Sequence, residues 1–350
     1  MNGRPLARPA GVRNVVKDMP PPSPNRRIAI AGATGLVGRP LFFQLQRRGF
    51  RLSILSRDPA AARLLLPGAA EYLSFRPAAR EGRWAAAVDG AEAVLMLAGA
   101  SSFARRSGPD GRREIRESRL VANRGLVTAM ADARVPPRLF VTASSVGYYG
   151  FLDGLRPSGA PPPVADERTL GGNDEISRDY RQLEGAARAA ERYGVRTVVV
   201  RTGLVLATEG ALPEIAARVR RFLGGIVPPG DQPLPWIHLE DEIGLWLLAL
   251  DDPRVRGPLN ATAPEPRTNR EFMQAIARRL RRPLWLPMDG WIVRRWTGEG
   301  ALLFSHGRSV APRKALALGY RFRYPTLDGA LRALLRRTEL SALAPRPAGA

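Results

Sequence analysis

Residues Arg27-Ile28-Ala29-Ile30-Ala31-Gly32-Ala33-Thr34-Gly35-Leu36-Val37-Gly38 decide the fold. Ile28 to Ala31 form a short apolar run, a glycine cluster follows, and Pro40 to Arg48 repeats apolar residues at helical spacing. The pattern predicts strand, tight turn and helix. Gly32, Gly35 and Gly38 fall three apart in the turn, so the backbone can bend sharply, approach a pyrophosphate and pack the helix on the strand. N–H groups opening that helix then point at phosphate. Glycines alone are common in loops for steric reasons. Strand, triplet and helix in register make the stretch a dinucleotide-binding signature.

Outward from this unit, Arg51 to Ser56, Tyr72 to Phe75, Ala91 to Leu97, Arg138 to Ser144 and Arg196 to Arg201 read as strands. Helical patterns lie between most of them, clearest at Ile115 to Ala133 and Glu175 to Tyr193. This alternation predicts an α/β, Rossmann-like doubly wound parallel sheet. After Leu206 the rhythm breaks into a basic helix, Glu214 to Leu223, a loop, Gly224 to Gly230, and an apolar helix, Glu242 to Leu250, with Asp241 as its N-cap. Pro258 to Asn260 reads as one more strand. The expected division is a Pro/Arg-rich tail over 1–26 and a Rossmann domain over 27–260, parts of 150–172 and 207–235 contributing to the substrate lobe. A small α+β C-terminal substrate domain follows over 261–340, and a loose tail over 341–350.

Composition removes several classes of function. The 350 residues are 45% apolar, and no apolar run reaches the roughly 18 to 20 residues of a membrane span. Cysteine is absent, which excludes disulfides, thiolate metal sites and cysteine nucleophiles. The net charge of +22 is almost all arginine, since Lys17 and Lys314 are the only lysines. Doublets such as Arg105-Arg106, Arg112-Arg113, Arg278-Arg279 and Arg281-Arg282 are spread along the chain, without the single face and interleaved aromatics of a nucleic-acid binder. The expectation is a cytoplasmic protein with a small-molecule substrate, no specific nucleic-acid partner and no membrane. Its field would attract anionic, phosphorylated ligands.

The second strand bears on the cofactor. It ends Leu55-Ser56-Arg57-Asp58-Pro59, about 20 positions past the glycine turn, where an acidic residue suits a ribose 2′-OH and an arginine suits a 2′-phosphate. Asp58, followed by Pro59 and alanines, fits a helix N-cap. Arg57 and Ser56 then favour NADP(H), the alternative being that Arg57 is surface charge. Leu97-Ala98-Gly99 closes the fourth strand with small residues that suit a close nucleotide or a simple turn. Hydroxyls in Thr142-Ala143-Ser144-Ser145-Val146-Gly147-Tyr148-Tyr149-Gly150, ending the fifth, would face the nicotinamide end of the crevice.

The glycine turn, Ser144-Ser145-x-x-Tyr148-Tyr149-Gly150 and Arg201-Thr202-Gly203-Leu204-Val205-Leu206 together resemble an extended short-chain dehydrogenase/reductase. Trp236-Ile237-His238-Leu239-Glu240-Asp241, Asn260 to Pro266, and the stretch through Pro312 and Gly319-Tyr320-Arg321-Phe322 narrow the likeness. They resemble the "epimerase family" branch of the NAD(P)-dependent epimerase/dehydratase superfamily, which carries a C-terminal domain of unknown function, and the likeness spans about Arg27 to Leu335. The resemblance implies an NADP(H) site lined by Gly32, Thr34, Gly35, Leu36, Val37, Gly38, Ser56, Arg57, Leu97 and Ala98. It adds Glu114 and Arg119 beside the cofactor and Val205 on the nicotinamide side. Without it, the Glu114 helix reads as a solvated charged face.

Catalysis departs from the superfamily pattern of Tyr-x-x-x-Lys. Tyr180 has Glu184 where the lysine belongs, and a carboxylate there opposes use of the tyrosine as a base at neutral pH. Arg178 and Arg181 carry charge nearby, but only i+3 and i+4 neighbours share a helix face. The usual asparagine is replaced by Arg119, and the branch itself generally keeps a glutamate at this place. Tyr180 is therefore either an acid/base or a packing residue, and Ser145 is the better candidate to contact substrate. Two functions follow: an NADP(H)-dependent oxidoreductase or epimerase acting on a small carbonyl or sugar-like substrate, or a non-catalytic NADP(H)-binding sensor. Of the two histidines, His238 is expected to orient a turn and His306 to lie at the surface, leaving no metal site.

Overall fold

The computed structural model describes residues 26–78, 82–98, 109–150, 164–284, 286–287, 304 and 307–343. The stretch 1–25, Gly99, Arg105-Arg106, residues 151–163, His306 and residues 344–350 lie outside the described residues.

Strands β1 (Arg27–Ala31), β2 (Arg51–Ser56), β3 (Glu71–Ser74), β4 (Ala93–Met96), β5 (Leu139–Ser145), β6 (Arg196–Thr202) and β10 (Gly257–Ala261) form one sheet. All seven are parallel, in the order β10-β6-β5-β4-β1-β2-β3. Ile28 to Ala31 and Ala93 to Met96 are buried at every position, because helices cover both faces and neither face meets water. Helices α1 (Gly38–Arg47) and α7 (Leu239–Asp251) share the core on one face. On the other are α3 (Arg83–Ala86) and α4 (Pro109–Ala131), with a short 3-10 turn that extends α5 (Glu175–Arg188). Strand order reverses between β1 and β4, which opens a crevice at their carboxyl ends.

A second core lies beyond the sheet. It joins β7 (Leu204–Leu206), α6 (Ala211–Arg220), β9 (Trp236–His238), α8 (Asn269–Leu280) and α10 (Leu327–Leu343). A short pair, β8 (Gly225–Ile226) with β11 (Leu286–Pro287), edges it, so part of the predicted Gly224–Gly230 loop is strand. The C-terminal segment also returns to the main core through α9 (Arg313–Ala317), where Ala315 is fully buried.

Two expectations are corrected. Asp241 is not the N-cap of α7. The His238 side chain caps it, Nδ1 accepting from the Glu240 N–H at 3.1 Å, and α7 begins at Leu239. Asp241 is instead buried in the first turn and accepts from the backbone N–H groups of Arg323 and Tyr324. A loose tail from Ser341 is not observed at its start, because α10 continues through Leu343.

Candidate functional site

The glycine turn fits its place through contacts a Cβ would destroy. Gly32 has φ +85°, and a side chain on it would overlap the backbone of Leu97 and Ala98 at the end of β4. One on Gly38 would overlap Gly32 O and Ala33, separating α1 from β1. Gly35 is different: its N–H closes the turn on Gly32 O at 3.2 Å, and its open side meets nothing else. Val37, at the head of α1, makes no side-chain cap, and the first turn of α1 has no acidic residue. The Arg39 N–H is taken by Gly35 O at 2.9 Å and Pro40 has none, so the N–H groups of Leu36, Val37 and Gly38 are the ones open to an anion. The register places Ala31 opposite both Leu55 and Met96, so Gly32, Ser56 and Leu97 lie together one step beyond.

Arg57 is exposed at this edge. Asp58 caps α2 (Pro59–Leu65), its Oδ1 accepting from Ala61 N at 2.9 Å. Ser56 Oγ bonds Asp58 twice, donating to its carbonyl at 2.9 Å and accepting its N–H at 3.2 Å. Thr34 is exposed, Leu36, Val37 and Val205 are half-buried, and an Arg39–Glu209 ion pair joins α1 to the segment after β7. On α4, Glu114 is exposed and Arg119 half-buried; Arg119 shares a small cavity with Ile115, Arg116 and Tyr180.

At the other end of the crevice, Tyr180 packs its ring against Gly147, two residues from Ser145. Ser145 Oγ accepts from Gly147 N–H at 3.1 Å and caps the short turn Val146–Tyr149. The hydrogen bonds of Glu184 go to partners other than Tyr180. Arg201 grips its carboxylate from two sides, Nε to Oε1 at 2.9 Å and Nη2 to Oε2 at 2.8 Å, and Ser144 Oγ donates to Oε1 at 2.7 Å. Arg201 also donates to Tyr149 Oη at 2.9 Å and lies over the Tyr148 ring at 3.4 Å. Tyr149 in turn donates to Asn260 Oδ1 at 2.6 Å. Burial works against the charge of Arg201, but the Glu184 carboxylate outweighs it and holds its pKa above the ordinary value. Burial pushes the Tyr149 phenol up to about 12.

Distant segments fasten to this network. Asn260 Nδ2 donates to Ala311 O at 2.9 Å, Arg308 donates to Tyr149 O at 3.0 Å, and Glu167 accepts from the N–H groups of Asn260 and Lys314. In the sequence, Arg201, Tyr149 and Asn260 stand only as letters of motifs, with no role of their own. Asn123, fully buried on α4, carries no motif, yet it accepts from Thr142 Oγ1 at 2.8 Å. A polar residue on the apolar stripe of α4 was the available signal. His238 stacks on Tyr324 with ring centroids 3.7 Å apart, in keeping with an orienting role.

The chain is similar to known proteins in sequence and fold. Residues 28–261 match the model of the NAD dependent epimerase/dehydratase family, and residues 290–334 match a domain of unknown function, DUF1731. The epimerase family protein SDR39U1 homolog, chloroplastic, of Arabidopsis thaliana is 33% identical over 312 residues, covering 88% of this chain and 86% of the relative. Epimerase family protein YfhF of Bacillus subtilis is 30% identical, covering 88% and 97%. The crystal structure of human epimerase family protein SDR39U1 with NADPH superposes with TM-score 0.74 at 30% identity, covering 89% of this chain and 99% of that one. With residues 28–261 matched by the family model and 88% of the chain aligned to a relative at 33% identity, this chain belongs to the NAD dependent epimerase/dehydratase family.

Proposed function

We propose that the protein binds NADP(H) and works as an oxidoreductase or epimerase of the extended short-chain dehydrogenase/reductase type on a small carbonyl or sugar-like substrate. One observation carries the reading: the uncapped head of α1, free of acidic residues, closes through Gly32 against Leu97 and Ala98. Gly35, Leu36, Val37 and Gly38 would hold the pyrophosphate, and Ser56 with Arg57 the 2′-phosphate. The NADPH complex of the human relative supports that choice of nucleotide. When bound, the nicotinamide supplies or accepts hydride. Ser145 Oγ accepts from Gly147, and among the described residues nothing takes its hydroxyl proton, which is left to give to a substrate oxygen.

Titration calorimetry with NADPH and NADH tests the reading. A preference for NADPH of about 10-fold or more is expected from charge-assisted bonds, and Arg57→Ala should collapse it. Failure to bind either nucleotide would refute it. The sensor reading has one observation in its favour: the lysine position holds Glu184, bonded to Arg201 and Ser144, and provides no cation of its own. Turnover lost in Ser145→Ala with NADPH binding retained would eliminate the sensor.

A further inference from the structure

Glu242 lies in the first turn of α7, which packs on β5, β6 and β7, and is only 1% exposed. Its Oε1 accepts from Thr202 Oγ1 at 2.9 Å and Trp246 Nε1 at 3.0 Å, while Oε2 has no partner among the described residues. Burial pushes this carboxyl up to about 7, the bonds from Trp246 and Thr202 pulling the other way, with no cation among the causes. Neighbouring ionisable groups are otherwise engaged. Asp241 is bonded to Arg323, Tyr324 and the Tyr320 hydroxyl, Glu240 pairs with Arg323, His238 caps α7, and Arg201 serves Glu184 on the α5 face.

Thr202 is half-buried and stands in register with Ser145 on the adjacent strand. Neighbouring strands run about 4.8 Å apart and in-register side chains share a face, so the two hydroxyls are side by side. Their bonds give them opposite polarity. Thr202 gives its proton to Glu242 and keeps oxygen lone pairs, whereas Ser145 accepts from Gly147 and keeps its proton. A carbinol hydroxyl matches both, accepting from Ser145 and donating to Thr202.

We propose that Glu242, acting through Thr202, is the proton acceptor for a secondary alcohol substrate held at this edge. The proposal rests on reading the crevice as an NADP(H)-dependent oxidoreductase site. In the oxidising direction the substrate O–H bond breaks, its proton passes to Thr202 Oγ1, and the Thr202 proton passes to the Glu242 carboxylate. The carbinol carbon gives up its hydrogen with two electrons, for which an oxidised nicotinamide dinucleotide is the required oxidant, and the C=O bond forms. Reduction runs the same path backwards. Glu242 is a positioning and proton-holding residue, one hydroxyl removed from the substrate.

Infrared difference spectra of the full chain across pH 5 to 9 test it without turnover. The expected result is a protonated-carboxyl band that titrates near neutrality, disappears in Glu242→Gln and moves to higher frequency in Thr202→Val, which removes one hydrogen bond. Calorimetry at pH 7 in buffers of different ionisation enthalpy adds the link to the site. The positive charge of oxidised nicotinamide favours the carboxylate, so NADP+ binding should release up to about half a proton, NADPH none, and Glu242→Gln none with either. A wild-type spectrum without a band lost in Glu242→Gln, or NADP+ binding without proton release, overturns the relay while leaving the cofactor reading intact. Absence of binding by both nucleotides overturns the cofactor reading and the relay with it.

Discussion

The two ends of the crevice are built differently. At the β1–β2–β4 end the surface is mostly backbone: a glycine turn, the head of one helix and two strand ends, nearly all from one contiguous stretch and its register partners. Beneath the β5–β6–β10 end lies a buried network of side chain on side chain, with Ser144, Glu184, Arg201, Tyr149 and Asn260 drawn from separate elements and the C-terminal segment fastened to them. Backbone sites are encoded by where Cβ is missing, which a local motif reports. Side-chain sites are encoded by partners far apart in the chain, which no local motif reports.

The largest expected effect is at the side-chain end. Arg201→Met leaves Glu184 buried and uncompensated, and should cost about 3 to 5 kcal/mol in urea denaturation. Adding Glu184→Leu should recover most of that loss, because the replacement removes both charges together. A single variant as stable as wild type would mean that the network does not hold the end together. At the backbone end, Gly32→Ala combines a positive φ with overlap on Ala98 and should cost about 3 kcal/mol by the same measurement, with loss of NADPH binding.

Stability against pH separates the faces of the side-chain end. Glu242 has a folded-state pKa of about 7 against 4.5 in an unconstrained chain, so the unfolded state releases its proton first as pH rises. This group therefore withdraws stability progressively between those values, on the order of 3 kcal/mol by neutral pH and above. Glu242→Gln should flatten that part of the profile, and an unchanged slope would show that the carboxyl ionises normally.

The smallest pair sharpens the reading of neighbouring residues. Asp58→Ala should remove a helix cap worth about 1 kcal/mol and leave nucleotide preference unchanged. Arg57→Ala should do the reverse, changing preference with little effect on melting temperature. If the roles exchanged, the reading of the second strand end would be inverted.

Strand β2 falls on the predicted Arg51 to Ser56 without adjustment, because Leu52, Ile54 and Leu55 form a short, mostly apolar stretch closed at either end by Arg51 and Arg57. The apolar helix expected over Glu242 to Leu250 is present, but it starts earlier, at Leu239. Asp241 has the chemistry of a cap and so does the imidazole of His238; the choice depended on Arg323 and Tyr324, about 80 residues away, claiming the aspartate. Glu184 likewise depends on a partner distant in the chain. Helical spacing aimed it at Tyr180, but Arg201 on β6 faces it across the sheet surface and takes its charge.

The sequence by itself determined the alternating α/β order, the glycine turn, the capped helix behind Arg57 and the absence of any cysteine chemistry. These depend on local backbone geometry and composition, which a short window contains. Only the tertiary structure decided that Glu184 answers to Arg201 and Ser144, that Asn260 and Tyr149 bind the C-terminal segment to the strand ends, and that Glu242 is buried against Thr202. A buried charge or polar group is tolerable only beside its partner, and parallel strands joined by helices place those partners tens of residues apart.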